Sequence, residues 1–200
     1  MKYQKAISHI KDSDKILAKV INSIGKCNLK PAKRDPFDVL VSSIISQQLS
    51  VKAARTIKNR LLEIAGNGNK FNPKKILSQT VTEIKKTGVS GSKTKFVKEL
   101  AKAVSSGKLN LRKLYNEDDQ TVIDTLIKQP GIGPWTAEMF LIFSLGRLDV
   151  LSIGDAGLRR ATKIIYGFKK DLTDKEFIKL SEPWKPYRSI ASWYLWRSID

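Results

Sequence analysis

With 200 residues, 41% hydrophobic and 28% charged, the chain is globular in composition and long enough for one domain or two small subdomains around a sizeable core. Lys and Arg number 37 against 19 Asp and Glu, and the resulting charge of +18 fits a polyanionic partner, with nucleic acid, ribosome and membrane surface all compatible. One cysteine, Cys27, excludes an internal disulfide and any all-cysteine cluster, and the single His9 speaks against a histidine-based metal site.

The first element reads as an amphipathic helix. Ile7, Ile10, Leu17, Val20, Ile21 and Ile24 recur at helical spacing, and Gly25 can end it. The segment lacks the continuous apolar core of a secretory signal, and no apolar run anywhere approaches the ~20 residues that span a bilayer, so an intracellular address is expected. Pro31–Arg34 reads as a basic connector. Asp35-Pro36 is an N-cap followed by a first-turn proline, opening a helix with Phe37, Leu40, Val41, Ile44 and Ile45 inward. That helix runs into Ser46-Gln47-Gln48-Leu49-Ser50, where Ser50 can cap a helix from Val51 to Ile64. Adjacent glutamines at such a corner are ordinarily solvated.

Ala65–Asn69 reads as a loop, Asn72-Pro73 as the start of a short helix, and Thr80-Val81-Thr82-Glu83 as a capping box. After a turn at Gly88–Gly91, Ser92 opens a helix with Phe96, Val97, Leu100 and Val104 on one face. Lys93, Lys95 and Lys98 lie off that stripe and read as solvated, with phosphate contact open to one or two of them. Two helical segments follow, Val122–Gln129 and Trp135–Leu145, joined by Pro130-Gly131-Ile132-Gly133-Pro134. The glycines permit positive φ and close approach, and Pro134 suits a first helical turn. The resulting hairpin presents amides beside a helix N-terminus, an anion site, although a Gly-Pro turn also serves as a plain connector. Asp155, after Gly154 and before a helical run, is most simply an N-cap. Thr173-Asp174-Lys175-Glu176 is a second capping box, and the aromatic-rich end WKPYRSIASWYLWRSID reads by default as a core helix. No period-two run of useful length occurs, so the chain reads as all-α.

PGIGPWTA at 130–137, a spacer ending in Gly154-Asp155, and then Leu158-Arg159-Arg160 together resemble the helix-hairpin-helix (HhH-GPD) DNA glycosylases. Among these the pattern is most similar to the alkylated-base group, 3-methyladenine DNA glycosylase II. The resemblance implies a single HhH-GPD domain of two helical subdomains flanking an active-site cleft. One subdomain spans 35–152 with the helix-hairpin-helix at 122–145; the other combines 1–34 with 153–200. It implies hairpin contacts to DNA phosphate through Gly131, Gly133 and Thr136, and Asp155 as the catalytic carboxylate. ISQQLS resembles the segment whose corner residue fills the gap left by a flipped nucleotide, which places Gln48 there, where the bacterial enzyme has leucine. By the same comparison Trp196, in the helix after WKPYRS, lines the base pocket with Trp135 and Met139, the last at a position where the bacterial pattern is aromatic. Monovalent-cation binding by the backbone carbonyls of Ile127, Gln129 and Gly131 is also implied.

These residue types suit base release. The target base must leave the stack, and cleavage of its bond to the sugar develops positive charge that one carboxylate can stabilise. Relatives that also nick DNA carry lysine at the position of Trp135, so the expectation is a monofunctional enzyme leaving an abasic site. Indole faces attract cations, which suits purines alkylated at N3 or N7. Some relatives hold an iron–sulfur cluster; Cys27 alone cannot supply one, and no cofactor is expected. The expected partner is double-stranded DNA containing a damaged base, met by a monomer that is cytoplasmic or nucleoid-associated, with no membrane partner. Two rivals stay open: a non-catalytic helix-hairpin-helix DNA-binding module, and a glycosylase for oxidised or mismatched bases.

Overall fold

The computed structural model describes residues 3–29 and 35–199. The basic connector read at Pro31–Arg34 lies outside them. The described residues form α1 (Gln4–Ser13), α2 (Lys15–Ile24), α3 (Pro36–Ser46), α4 (Val51–Ala65), a two-stranded ribbon of β1 (Gly66–Asn67) and β2 (Lys70–Phe71), α5 (Pro73–Ser78), α6 (Val81–Lys86), α7 (Gly91–Ser105), α8 (Asp119–Leu126), α9 (Pro134–Phe140), α10 (Ala156–Tyr166), α11 (Asp174–Ser181) and α12 (Arg188–Arg197). Packing divides the chain into two units, Ala32–Leu145 and Met1–Pro31 with Gly146–Asp200.

The first of these units is built on α3. Phe37, Val39, Leu40, Val41, Ile44 and Ile45 are all buried, so this helix is apolar nearly all round and has neighbours on every side, among them α4, α7 and α9. Asp35 starts it by accepting from the amides of Phe37 and Asp38, as its place before Pro36 requires. Asp38 is the exception on its buried surface. Its carboxylate takes Lys58 Nζ at 3.1 Å and the Phe71 amide at 3.4 Å, tying α4 and β2 to α3. Among the described residues the ribbon is the only β structure: Gly66 and Asn67 pair with Phe71 and Lys70 across a turn at Gly68, φ +62°. Four residues are too few to leave an alternating pattern in the sequence.

Several boundaries differ from the sequence reading: α7 begins at Gly91 with Ser90 as its cap, not at Ser92, and both helices of the hairpin shift. Asp118 accepts from the Thr121 amide, so α8 begins at Asp119 and ends at Leu126, with an i→i−3 turn of Gln129 N to Leu126 O beyond it. The helix after the hairpin is α-helical only to Phe140 and continues as a π-helical turn, Leu141–Leu145. Over five residues apolar spacing does not distinguish the two windings.

In the other unit, the helix read as continuous from Ile7 to Ile24 is two, broken at Asp14. Asp14 Oδ1 caps α2 through the amides of Ile16 and Leu17, while Oδ2 accepts from the Tyr166 hydroxyl and from Trp184 Nε1. One carboxylate thus joins α1, α2, α10 and the turn that carries the fully buried Trp184. The segment after Gly146 is laced to the start of α12: Ser189 N donates to Leu148 O, Val150 N to Ser189 Oγ, and Arg188 holds Asp149 through Nε and Nη2. Both capping boxes form, Thr80 with Glu83 and Thr173 with Glu176.

Candidate active site

The hairpin lies between α8 and α9. Gly131 has φ +81°, and a Cβ built there would stand 2.3 Å from the Phe96 ring, so glycine is required both by the backbone and by the approach of α7. Ile132 N closes the turn on Gln129 O. Gly133 is exposed and serves as the N-cap of α9 without a side chain to cover the helix end, and Pro134 takes the first helical position. Amides of a first turn lack intrahelical acceptors, so this end of α9 can receive an anion. Thr136 contributes by its backbone alone: it is 1% exposed, and its hydroxyl accepts from Gln47 Nε2 at 3.2 Å.

The glutamine corner follows α3. Gln47 faces inward, its Nε2 donating to Gly131 O at 2.9 Å as well as to Thr136. Gln48 is exposed and sits at φ +56°, the only non-glycine among the described residues in that region of backbone space. Leu49 beside it is also exposed. Lys93 Nζ donates to Ile45 O at 2.9 Å and Gln47 O at 2.6 Å, at the open C-terminal end of α3, and burial lowers the pKa of this ammonium. Lys98 does the same for Leu77 and Gln79 at the end of α5. Both lysines, read from sequence as solvated, are helix-end clamps; Lys95 is exposed as expected. Spacing along α7 identifies their face but not the carbonyls that other helices bring to it.

Asp155 caps α10, Oδ1 accepting from the Leu158 amide at 2.6 Å, so the simple structural reading of this residue holds. It is 8% exposed, and the same Oδ1 also accepts from Trp196 Nε1 at 3.0 Å. Gly157 packs beneath this pair: an added Cβ would lie 3.3 Å from Asp155 Oδ1 and 3.7 Å from the Trp196 ring. Arg159 secures the preceding turn, donating from Nε to Ile153 O, from Nη1 to Leu172 O and from Nη2 to Asp174. Of the two arginines in the motif, Arg159 is thereby spent on structure, and Arg160 is exposed.

The remaining sequence-derived residues fall in the unit that carries the hairpin. Trp135 is half-buried on the first turn of α9, and Met139, one turn further, is 5% exposed. Of the three carbonyls read as cation ligands, Gly131 O already accepts from Gln47 and Gln129 O from Ile132 N, while Ile127 lies at the end of α8. A cation there would use the second lone pair of two of them. No group of three or more acidic, His or Cys side chains placed to hold a metal occurs among the described residues. Neither Gln47 nor Gly157 stood out in sequence as a candidate: Gln47 reaches partners 84 and 89 positions away, and no local pattern encodes such a reach.

A model of the HhH-GPD superfamily of base excision DNA repair proteins matches residues 41–186. The chain is 34% identical over 200 residues to DNA-3-methyladenine glycosylase 1 of Schizosaccharomyces pombe, across 97% of this chain and 86% of that one. Among solved structures, it is 39% identical to a DNA-3-methyladenine glycosidase from Bacillus halodurans, with a TM-score of 0.78 over 96% of this chain and 88% of that one. The 3-methyladenine DNA glycosylase of S. pombe in complex with abasic DNA superposes with a TM-score of 0.89 at 32% identity, over 98% of this chain and 96% of that one.

Proposed function

The chain belongs to the HhH-GPD superfamily of base excision DNA repair proteins, and on that premise we propose that it is a monofunctional DNA glycosylase that releases alkylated purines from double-stranded DNA. The observation that carries the reading is Asp155, a nearly buried carboxylate held by a helix amide and an indole N–H, in a Gly154-Asp155 sequence that resembles the family's motif. In the reaction, the bond between C1′ and the purine nitrogen breaks and its electron pair leaves with the base. The sugar becomes electron-poor at C1′; the Asp155 carboxylate stabilises that charge and directs water to it, taking the proton that the water loses. An abasic site remains.

Selectivity is assigned to the aromatic residues. An N3- or N7-alkylated purine is cationic and already bonded weakly to its sugar, and an indole face holds such a cation by about 0.5–2 kcal/mol. Trp135 supplies that face, with Met139 as an adaptable wall one turn away and Trp196 beside the carboxylate. The hairpin amides at Gly131, Gly133 and Thr136 bind a phosphate, and Gln48 enters the vacated space, its amide hydrogen-bonding the orphaned base. The protein acts as a monomer with no resident cofactor; a monovalent cation on the carbonyls of Ile127, Gln129 and Gly131 would serve to stiffen the hairpin. Tryptophan in place of lysine at 135 supports hydrolysis without strand cleavage.

Incubation with methylated duplex DNA is the test. Release of 3-methyladenine and 7-methylguanine, with intact strands and no borohydride-trapped covalent adduct, is expected. Asp155→Asn, which keeps a helix cap, should retain DNA binding and lose roughly 100-fold or more in base release. Activity confined to 8-oxoguanine or mismatched duplexes would replace the substrate class, and tight binding without release from any of these would leave a non-catalytic DNA-binding module.

A further inference from the structure

Gln47, rather than its exposed neighbour, is the residue through which the glutamine corner and the hairpin touch. We propose that Gln47 is a positioning residue that couples the entry of Gln48 into DNA to phosphate capture by the hairpin, with α7 as the common support. This rests on the proposed role of Gln48 and adds to it a residue that makes no contact with the base or the sugar.

Three observations carry it. First, the Gln47 side chain donates both to Gly131 O, within the hairpin, and to Thr136 Oγ1, on the first turn of α9. A phosphate seated on the amides of that turn therefore pulls on a structure already bonded to the corner. Second, the main chain of the corner is clamped by Lys93, whose ammonium takes Ile45 O on the last turn of α3 and Gln47 O immediately before Gln48. Gln48 is held at φ +56°, a conformation that costs about 1 kcal/mol or more for a residue with a Cβ and persists where the surroundings enforce it. Third, Phe96 lies one turn after Lys93 on α7 and meets Gly131 so closely that no side chain fits. One helix thus fixes the corner with Lys93 and the hairpin with Phe96, and Gln47 bridges the two directly. A fixed spacing of wedge and phosphate site means that only a duplex whose backbone is drawn into the hairpin brings its stack to Gln48.

The test uses the full chain and a duplex bearing a tetrahydrofuran abasic analogue with 2-aminopurine opposite, so that unstacking by Gln48 is read as fluorescence without any glycosidic bond to cut. Gln47→Ala and Gln48→Ala should each lower the fluorescence change about threefold or more, and the double variant should be no worse than Gln48→Ala alone, as expected of residues acting in one unit. Thr136→Val, which keeps the volume and the Gly131 bond, should reduce the signal in the same direction by less. Affinity of Gln47→Ala for undamaged duplex should fall by less than the fluorescence change does, since the hairpin amides keep their donors. Losses that multiply in the double variant, a Gln47→Ala signal equal to the parent, or an equal fall in affinity for every DNA would each overturn the coupling. A parent protein that gives no signal overturns it together with the wedge role of Gln48. One that gives the signal but releases no base overturns the proposed function and leaves the coupling standing.

Discussion

The indole Nε1 of Trp196 donates to Asp155 Oδ1 at 3.0 Å, joining residues 41 positions apart on two different helices. The Leu158 amide takes the same oxygen at 2.6 Å, so the carboxylate is held from the backbone of α10 and from the side chain of α12 at once. In the proposed reaction, a group held this way would not have to be reoriented when charge appears on the sugar, which is the condition for effective electrostatic stabilisation.

Trp196→Phe separates the two services that Trp196 can render. Phenylalanine keeps an aromatic face and removes the N–H. Loss of a hydrogen bond to a charged group is worth roughly 1.5 kcal/mol or more, so a fall of about tenfold in kcat with little change in KM is expected if the donor positions Asp155. Single-turnover base release reads kcat, and a substrate titration reads KM. A Phe variant with the parent kcat would leave the ring as the only contribution of Trp196.

Gly157→Ala sets stability against activity. At the second position of α10 alanine is the better helix former, by about 0.5–1 kcal/mol, and the thermal midpoint should hold or rise. Its methyl, however, would press on Asp155 Oδ1 from 3.3 Å and crowd the Trp196 ring at 3.7 Å. Base release should fall several-fold in a protein that is no less stable. Unchanged activity would mean that the pair has room to shift without consequence.

The elements legible in the sequence are those whose cause is local. Asp35 before Pro36, Ser50 before Val51, and the Thr80–Glu83 and Thr173–Glu176 boxes all work over two or three residues, and each forms where its spacing puts it. Asp155 was legible as a cap, and that cap forms. What escaped has distant partners. Asp14 looks like a surface residue within a helical stripe until Tyr166 and Trp184 arrive from 152 and 170 positions away. Lys93 and Lys98 look solvated because the carbonyls they take belong to other helices. Gln47 and Gln48 are neighbours of identical type with opposite fates, one bonded inward and one exposed, and only the turn at positive φ decides between them.

Asp14→Ala tests the tether that splits the first helix. It removes the cap of α2 and strands two donors, one on the fully buried Trp184. A lost cap costs about 1 kcal/mol and each stranded buried donor about 1–3 kcal/mol, so a loss of roughly 3 kcal/mol or more is expected in denaturant unfolding. A loss below about 1 kcal/mol would mean that both donors find new acceptors. Base release well below the transition should be unaffected, because Asp14 is assigned no part in the chemistry.

Alkaline pH should loosen the unit formed by the chain's two ends, and the sign follows from its buried phenols. Tyr194 donates to Gly25 O at 2.8 Å, and burial, helped by the negative charge that Cys27 can carry, pushes its pKa from 10.0 up to about 12. Tyr166 is raised as well, by burial and then by its bond to Asp14. Each folded-state value lies above the unfolded one, so the stabilisation is fully present below pH 10.0 and declines as pH rises toward about 12, where the unfolded chain ionises first. Native phenolate absorbance at 295 nm should therefore lag behind that of the denatured protein through this window, while the denaturant midpoint falls. Tyr194→Phe, less stable at neutral pH for want of the Gly25 bond, should show a shallower alkaline decline. An equally steep decline in that variant would shift the cause to Tyr166 or to the loss of lysine charge.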